Sequence, residues 1–211
     1  MKENIDKDCM EKTILTKAED LFISKGYNGV STIDIANSVG CNQALVHYYF
    51  RTKMNLFKIV FSQKINQIQK ELEDSYREQE CFENKIKKMI DVHFDFLLKD
   101  ARLPLFIINE INNNNDTAQT IKEVFKDTIF PILSAFQKDL DQEIKANRIR
   151  QISAFDLLIN IVSLDVFIFI SEPIMRNILS YDKQDMNNVF HKRKEEIKNT
   201  ILLSLKPVDI K

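Results

Sequence analysis

The chain has 211 residues, of which 44% are hydrophobic and 29% charged, an ordinary balance for a soluble globular protein. Its 30 basic and 31 acidic side chains leave a net charge of −1, which excludes recognition of a polyanion through an overall positive field. There are three glycines and four prolines. Because sheet proteins need frequent turn residues, this scarcity favours long helices and argues against a β-rich fold.

The sequence also limits the cellular setting. Lysines and carboxylates precede any apolar run near the N-terminus, so we expect no signal peptide. The most apolar stretch, residues 155–170, contains Asp156 and Asp165 and is shorter than a bilayer span, so we expect no membrane contact. Cys9, Cys41 and Cys81 lack metal-ligand or paired spacing and are interpreted as reduced thiols. These features predict a cytoplasmic protein.

Apolar residues recur with helical period along the chain. Ile14, Ala18, Leu21 and Phe22 fall at i, i+4, i+7 and i+8, which is typical of an amphipathic helix. The predicted helices cover about residues 8–25, 32–39, 43–49, 52–72, 82–98, a short stretch from 104, 117–146, 154–170 and 186–205. The asparagine-rich segment 112–116 predicts a loop. We expect Pro131 to kink or split its helix, and the helix from residue 154 to end near Pro173.

Residues 31–50 have the pattern of a helix-turn-helix. Ser31 is a good N-cap, and Ala36 is small enough for two helices to approach closely. Four residues later, Gly40 can take the positive φ that a tight turn needs. The small core between the helices is expected to contain Ile35, Val39, Cys41 and Val46. The second helix would then expose polar residues that can enter the major groove of DNA.

The order and spacing of these residues resemble the N-terminal domain of TetR-family (tetracycline-repressor-like) transcriptional regulators. The resemblance covers about residues 10–60, and its motif consists of Gly26-Tyr27, Ser31, Ile35-Ala36, Gly40, the cluster His47 to Phe50, Lys53 and Leu56. The family typically has Tyr at the position of His47 and a small residue at that of Val39. The first departure falls on an expected DNA contact.

The resemblance implies a set of DNA-binding residues: Ser31, Thr32, Asn42, Gln43, Ala44, His47, Tyr48, Tyr49 and Lys53. Ser31, through its backbone N–H, and Lys53 are expected to meet phosphates. Gln43 and Ala44 are expected to face bases. Other interpretations stay open, with Asn42 serving as an N-cap alone and Tyr49 as a core residue.

The resemblance further implies that the C-terminal half binds a small hydrophobic effector and forms a homodimer. The residues expected to line the ligand pocket are Phe94, Leu97, Phe106, Asn109, Glu110, Phe125, Phe130 and Phe155. Those expected at the dimer interface are Val166, Phe167, Ile170, Ile197, Ile201 and Leu205. We expect a repressor that an effector releases from a palindromic operator of double-stranded DNA.

The predicted fold is all-α, with an N-terminal three-helix DNA-binding unit (residues 1–55) joined by a long helix to a helical ligand-binding and dimerisation bundle (residues 56–211). We expect neither a cofactor nor a metal, because His93 and His191 lack ligand-spaced partners. Without a glycine-rich phosphate loop or an acid–base constellation, an enzyme is not expected. A protein–protein adaptor without DNA binding is the alternative, and a redox role for Cys41 is a minor one.

Overall fold

A computed structural model of the protein describes residues 2–77 and 81–207, with side chains from Cys9 onward. Over these ranges the chain forms nine α-helices and no β-strand, which confirms the predicted all-α fold. The helices are α1 (Lys2–Lys25), α2 (Thr32–Val39), α3 (Gln43–Phe50), α4 (Lys53–Arg77), α5 (Phe82–Lys99), α6 (Leu103–Asn113), α7 (Asn115–Lys145), α8 (Ala154–Ile178) and α9 (Lys183–Ser204).

The predicted loop over residues 112–116 is reduced to a break at Asn114, so this prediction is wrong. The Asn114 side-chain Oδ1 accepts hydrogen bonds from the backbone N–H groups of Asp116, at 3.0 Å, and Thr117, at 3.3 Å. These bonds cap the first turn of α7, which would otherwise have unsatisfied donors. The asparagine that suggested a loop therefore starts a helix.

Two prolines lie inside helices that continue past them, Pro131 in α7 and Pro173 in α8. Helix α8 therefore ends at Ile178, beyond the end predicted near Pro173. An interior proline removes one backbone hydrogen bond. In α8 the buried side chains of Ile168 and Phe169 lie just before the proline, and we infer that their packing offsets this loss.

The chain divides into two compact units. Unit 1 comprises Met1–Gln67 and Leu105–Lys126, and unit 2 comprises Ile68–Pro104 and Asp127–Lys211. Helices α4 and α7 each contribute residues to both units. The predicted functional division at residue 55 remains a prediction.

Each unit has its own aromatic core. In unit 1 the ring of Phe57 packs edge-on against that of Phe22, with centroids 5.5 Å apart. In unit 2, helices α5, α8 and α9 pack against one another. There the ring of Phe169 lies with its centroid 5.1 Å from the rings of both Phe94 and Phe190.

Helix α8 has two apolar faces of different exposure. One face is buried in unit 2, and the other exposes five large apolar residues: Phe155, Ile159, Phe167, Ile174 and Ile178. By length and composition alone, α8 suffices to cross a membrane, so the expectation that this segment is too short is wrong. The core helix of a soluble protein has the same length and composition, and the buried face of α8 packs as such a helix.

Three of the residues predicted for the dimer interface are enclosed within unit 2. Ile197, Ile201 and Leu205 are at most 2% exposed. Their apolar stripe on α9 contributes to the core of the unit, because helices α5 and α8 cover it. The surface available to a second copy lies instead on α8, where Phe167 is 65% exposed and Val166 and Ile170 are half-buried.

The residues predicted to line one ligand pocket divide between the two units. Phe106, Asn109, Glu110 and Phe125 belong to unit 1, whereas Phe94, Leu97, Phe130 and Phe155 belong to unit 2. Phe130 and Phe155 are 63% and 60% exposed, and their place in a ligand pocket stays a prediction. Sequence periodicity located these rings on helices but could not determine which way each ring faces.

Candidate nucleic-acid interface

Helix α2 begins with a reciprocal cap. The Ser31 hydroxyl accepts from the Asp34 backbone N–H at 3.1 Å, and the Ser31 backbone N–H donates to the Asp34 carboxylate at 2.8 Å. The hydroxyl also donates to this carboxylate, and these bonds lower the pKa of Asp34. The Ser31 donors that were predicted to meet a phosphate are therefore engaged within the cap.

The turn between α2 and α3 has the geometry that the sequence predicted. Gly40 has φ 78° and ψ 31°, in the left-handed region that favours glycine. Its N–H donates to the carbonyls of Ala36, at 3.0 Å, and Asn37, at 3.2 Å, which satisfies the end of α2. Ala36 is 2% exposed, consistent with its expected place in the close approach of the two helices.

Helix α3 buries one face and exposes the other. Val46 and Phe50 are buried, whereas Asn42, Ala44, His47 and Tyr48 are exposed. We call these four exposed residues the polar face. The Asn42 Oδ1 accepts from the Ala44 N–H at 2.9 Å, so Asn42 is the N-cap of α3 in addition to any DNA contact.

The other predicted base and phosphate contacts on α2 and α3 are partly enclosed. Gln43 is half-buried, and its Nε2 donates to the Thr32 hydroxyl at 2.9 Å. This bond connects the first turns of the two helices and fixes the Gln43 amide. Tyr49 is half-buried, with its ring centroid 5.3 Å from that of Tyr48 and 6.0 Å from that of Phe50.

Helix α3 ends in a γ-turn centred on Arg51. Arg51 has φ 63° and ψ −55°, and the Thr52 N–H donates to the Phe50 carbonyl at 2.7 Å. A γ-turn with positive φ is rare and strained, particularly for a residue other than glycine. The exposed Arg51 is a cation directly after α3 that the sequence analysis did not select. Its position beside the recognition helix is the signal that was available.

Lys53 is half-buried and bonded within unit 1, and its phosphate contact stays a prediction. Its Nζ donates to the carbonyls of Tyr27 and Val30, both at 3.0 Å. The same ammonium lies 3.9 Å from the centroid of the Tyr27 ring, a cation–π contact. Burial lowers the pKa of Lys53. Lys53 therefore positions the loop between α1 and α2.

A Lys53→Met variant, which retains the aliphatic stem, is expected to lower the free energy of unfolding by about 2 kcal/mol. Two charge-assisted hydrogen bonds to backbone carbonyls are lost, and such bonds contribute about 1.5–3 kcal/mol each before relaxation. Urea unfolding measures the change. The matched control is Arg51→Ala, which should leave unfolding within about 0.5 kcal/mol. Unchanged stability in Lys53→Met would contradict the positioning role.

Glu110 of α6 holds the same loop through the backbone N–H of Tyr27, the residue whose carbonyl accepts from Lys53. Its Oε1 accepts from the Tyr27 N–H at 2.7 Å, and Glu110 is 7% exposed. Gly26, at φ 74°, precedes this bond, and a Cβ there would lie 3.1 Å from Oε1. Glu110 and Lys53 thus hold the backbone N–H and the backbone carbonyl of Tyr27, and we call this arrangement the clamp on Tyr27. Glu110 was predicted as the polar anchor of a ligand, and the structure gives it a contact with the DNA-binding helices' own loop.

Residues 14–60 match the sequence model of the family described as bacterial regulatory proteins, tetR family. The match covers the helix-turn-helix and the start of α4, and it supports a TetR-family regulator. The chain is 25% identical over 114 residues to the fatty acid metabolism regulator protein of Bacillus subtilis, a match that covers 54% of this chain and 59% of that protein. The chain thus spans less than two thirds of that relative.

Two further comparisons cover more of the chain. It is 20% identical over 174 residues to the HTH-type transcriptional activator FasR of Mycolicibacterium smegmatis, which covers 81% of this chain and 77% of that one. The crystal structure of the transcriptional regulator FadR from Bacillus subtilis in complex with stearoyl-CoA aligns with a TM-score of 0.71 and 18% identity, over 92% of this chain and 99% of that chain. At this identity the structural likeness concerns the fold.

Proposed function

We propose that the protein is a transcriptional regulator that inserts α3 into the major groove of a palindromic operator as a homodimer. The main observation behind the proposal is the exposed polar face of α3. This helix follows the capped helix α2 and a turn in which Gly40 is left-handed. An exposed N-terminal half of a recognition helix is what base readout requires. Thr32, Gln43 and Tyr49 support this face, and Arg51 joins Lys53 as a cation for a phosphate.

The exposed face of α8 is proposed as the dimer interface. Five exposed large apolar residues on a single helix are typical of a protein–protein contact. In a two-fold dimer this face of one protomer packs against the same face of its partner, so each exposed ring becomes buried in both protomers. Two protomers would present two copies of α3 to the two half-sites of a palindrome.

We propose that the effector is a long-chain acyl compound and that its binding releases the repressor from DNA. Two observations support this class. The relatives named above include regulators of fatty acid metabolism, and one solved structure contains stearoyl-CoA. Unit 2 is rich in aromatic and aliphatic side chains that an acyl chain can displace.

The clamp on Tyr27 is proposed as the point at which the effector acts. Helices α4 and α7 contribute to both units, and α6 lies between them in the chain. A ligand that displaces α6 would withdraw Glu110 from the Tyr27 N–H. The loop that precedes α2 would then lose one of its two fixed ends, and the recognition helices of a dimer would lose their spacing.

A Glu110→Ala variant is expected to bind operator DNA about tenfold more weakly and to respond less to effector. The variant leaves the Tyr27 N–H without its partner, a loss of about 1–3 kcal/mol in the DNA-competent arrangement. Fluorescence anisotropy with the operator duplex measures both effects. Glu110→Gln, which keeps the accepting oxygen, is the matched control and should stay within about threefold. Equal losses in both variants would show that charge, and not the hydrogen bond, matters.

Selection from a pool of random duplexes tests the proposed function directly. The purified protein is expected to enrich a palindrome whose half-sites lie about one helical turn apart. Sequencing of the bound pool, with protein denatured beforehand as control, gives the result. Enrichment of no sequence would reject the regulator and favour the adaptor, because a protein-docking surface has no reason to discriminate bases.

A further inference from the structure

We propose that His47 reads an exocyclic amino group, that of adenine or cytosine, by accepting a hydrogen bond at Nε2. The inference rests on the proposed function, and it names one base-reading atom and the base edges that it accepts. His47 occupies the position where the family usually has Tyr. A tyrosine hydroxyl both donates and accepts, whereas an imidazole nitrogen without a proton only accepts.

The His47 ring contacts the residue that follows the end of α3. His47 Nδ1 lies 3.0 Å from the carbonyl oxygen of Arg51. A carbonyl oxygen has no proton to donate, so Nδ1 must carry the hydrogen in this bond. In a neutral imidazole the other nitrogen is then an acceptor.

The other nitrogen of the His47 ring, Nε2, lies near the side chain of Gln43. His47 Nε2 lies 3.5 Å from the Gln43 amide nitrogen, which is a donor. An amide N–H group next to Nε2 agrees with a lone pair at that atom and would oppose a second N–H. Two contacts on opposite edges of the ring therefore indicate the same tautomer. Because 3.5 Å is at the outer limit of a hydrogen bond, a better donor can take the lone pair.

The γ-turn is what brings the Arg51 carbonyl to this position. The Arg51 backbone N–H donates to the His47 carbonyl at 2.9 Å, while the Arg51 carbonyl accepts from the His47 ring. The Phe50 carbonyl at the same turn accepts from Thr52 N–H and from Asn55 Nδ2, at 3.0 Å. The strained conformation of Arg51 is thus fixed on both sides. It fixes in turn the ring orientation of an otherwise exposed side chain.

The donors and acceptors on the base edges convert this tautomer into a preference for particular bases. In the major groove, adenine N6 and cytosine N4 are donors, whereas guanine N7 and O6 and thymine O4 are acceptors. A lone pair at Nε2 is complementary to the first two and is repelled by the others. Gln43 is held by its amide nitrogen, which donates to Thr32. His47 is therefore a specificity-determining residue.

Nuclear magnetic resonance tests the tautomer without DNA. In protein labelled with ¹⁵N at histidine, at pH 8, long-range ¹H–¹⁵N spectra are expected to show a protonated Nδ1 and a bare Nε2 for His47. The spectrum of His47→Phe identifies its signals among the three histidines. A proton on Nε2 would overturn the inference whatever the protein binds.

Base analogues test the readout. Binding is measured by anisotropy on the selected operator, in which each adenine in turn is replaced by purine and each cytosine by its analogue without the amino group. One substitution per half-site is expected to weaken wild-type binding by roughly three- to tenfold, the contribution of one hydrogen bond. His47→Phe should be indifferent to that substitution, and His47→Arg should prefer guanine there.

The outcomes separate the two proposals. If no operator is selected, the proposed function fails and this inference with it. If an operator is selected and His47→Phe retains the wild-type response to every analogue, the inference alone is overturned. A His47-dependent preference for guanine or thymine in the wild-type protein would also overturn it.

Discussion

A Phe167→Glu variant is expected to be monomeric and to bind the operator at least a hundredfold more weakly than the wild-type protein. Phe167 is 65% exposed on the apolar face of α8. In a two-fold interface the substitution buries two carboxylates without partners, and each costs several kcal/mol. A monomer presents one recognition helix and loses the second half-site. Analytical ultracentrifugation measures the mass, and anisotropy measures the affinity.

Phe130→Glu is the matched control for this variant. Phe130 is 63% exposed, also belongs to unit 2, and lies on α7 outside the α8 face. The control should remain a dimer with near-normal affinity, because the new carboxylate stays in water. A dimeric Phe167→Glu together with a monomeric Phe130→Glu would show that the interface lies on α7.

A His93→Ala variant is expected to lower the free energy of unfolding by about 3–5 kcal/mol. Asp165 is 0% exposed, and its Oδ2 bonds to His93 Nδ1 at 2.7 Å. Its Oδ1 lacks a hydrogen-bond partner among the described residues. Without His93 the buried carboxylate loses its hydrogen-bond donor, and a loss of this size is a large fraction of typical stability. Urea unfolding at pH 7 measures it.

The double variant His93→Leu/Asp165→Leu provides the control. Replacing a buried polar pair by apolar residues is often neutral or stabilising, so this variant should recover at least wild-type stability. A double variant as unstable as His93→Ala would show that the loss comes from packing around α5 and α8 and not from the carboxylate.

The deficit of His93→Ala should shrink at acid pH. Burial raises the pKa of Asp165, while His93, Arg193 and Lys194 lower it in part. A carboxyl group whose folded pKa lies above its unfolded value binds protons more tightly in the folded state. The loss of stability caused by ionising the buried carboxyl group is therefore absent below the unfolded pKa of about 3.9, and it grows as pH rises to the folded pKa. Losing His93 removes one lowering influence, so the variant should suffer more at pH 7 than at pH 4.5.

Local chemistry made the helix-turn-helix predictable from the sequence. Ser31, Gly40 and Asn42 were assigned to caps and a turn from residue type alone, and the structure places each of them there. Thr52 makes a local cap of the same kind, because its hydroxyl accepts from the Asn55 N–H at 3.0 Å. Such features depend on neighbours within four residues, so one sequence contains the necessary information.

Long-range contacts were not predictable in this way. Lys53 was predicted to contact a phosphate. Its bonds to Tyr27 and Val30 join residues more than twenty positions apart, so the local sequence pattern could not reveal them. The bond between Glu110 and Tyr27 spans 83 positions. The same limit applies to α9, whose apolar stripe was assigned to an interface although it packs inside unit 2. Periodicity identifies an apolar face but not the element that covers it.

The most direct test of the central claim is the stoichiometry and specificity of DNA binding in one titration. Labelled operator duplex is titrated with protein in the presence of scrambled competitor, and a duplex with one half-site is titrated in parallel. We expect two protomers per full operator, with affinity at least a thousandfold above that for scrambled DNA and far above that for the half-site duplex. Equal affinity for operator and scrambled DNA would contradict the assignment of α3 as a base-reading helix.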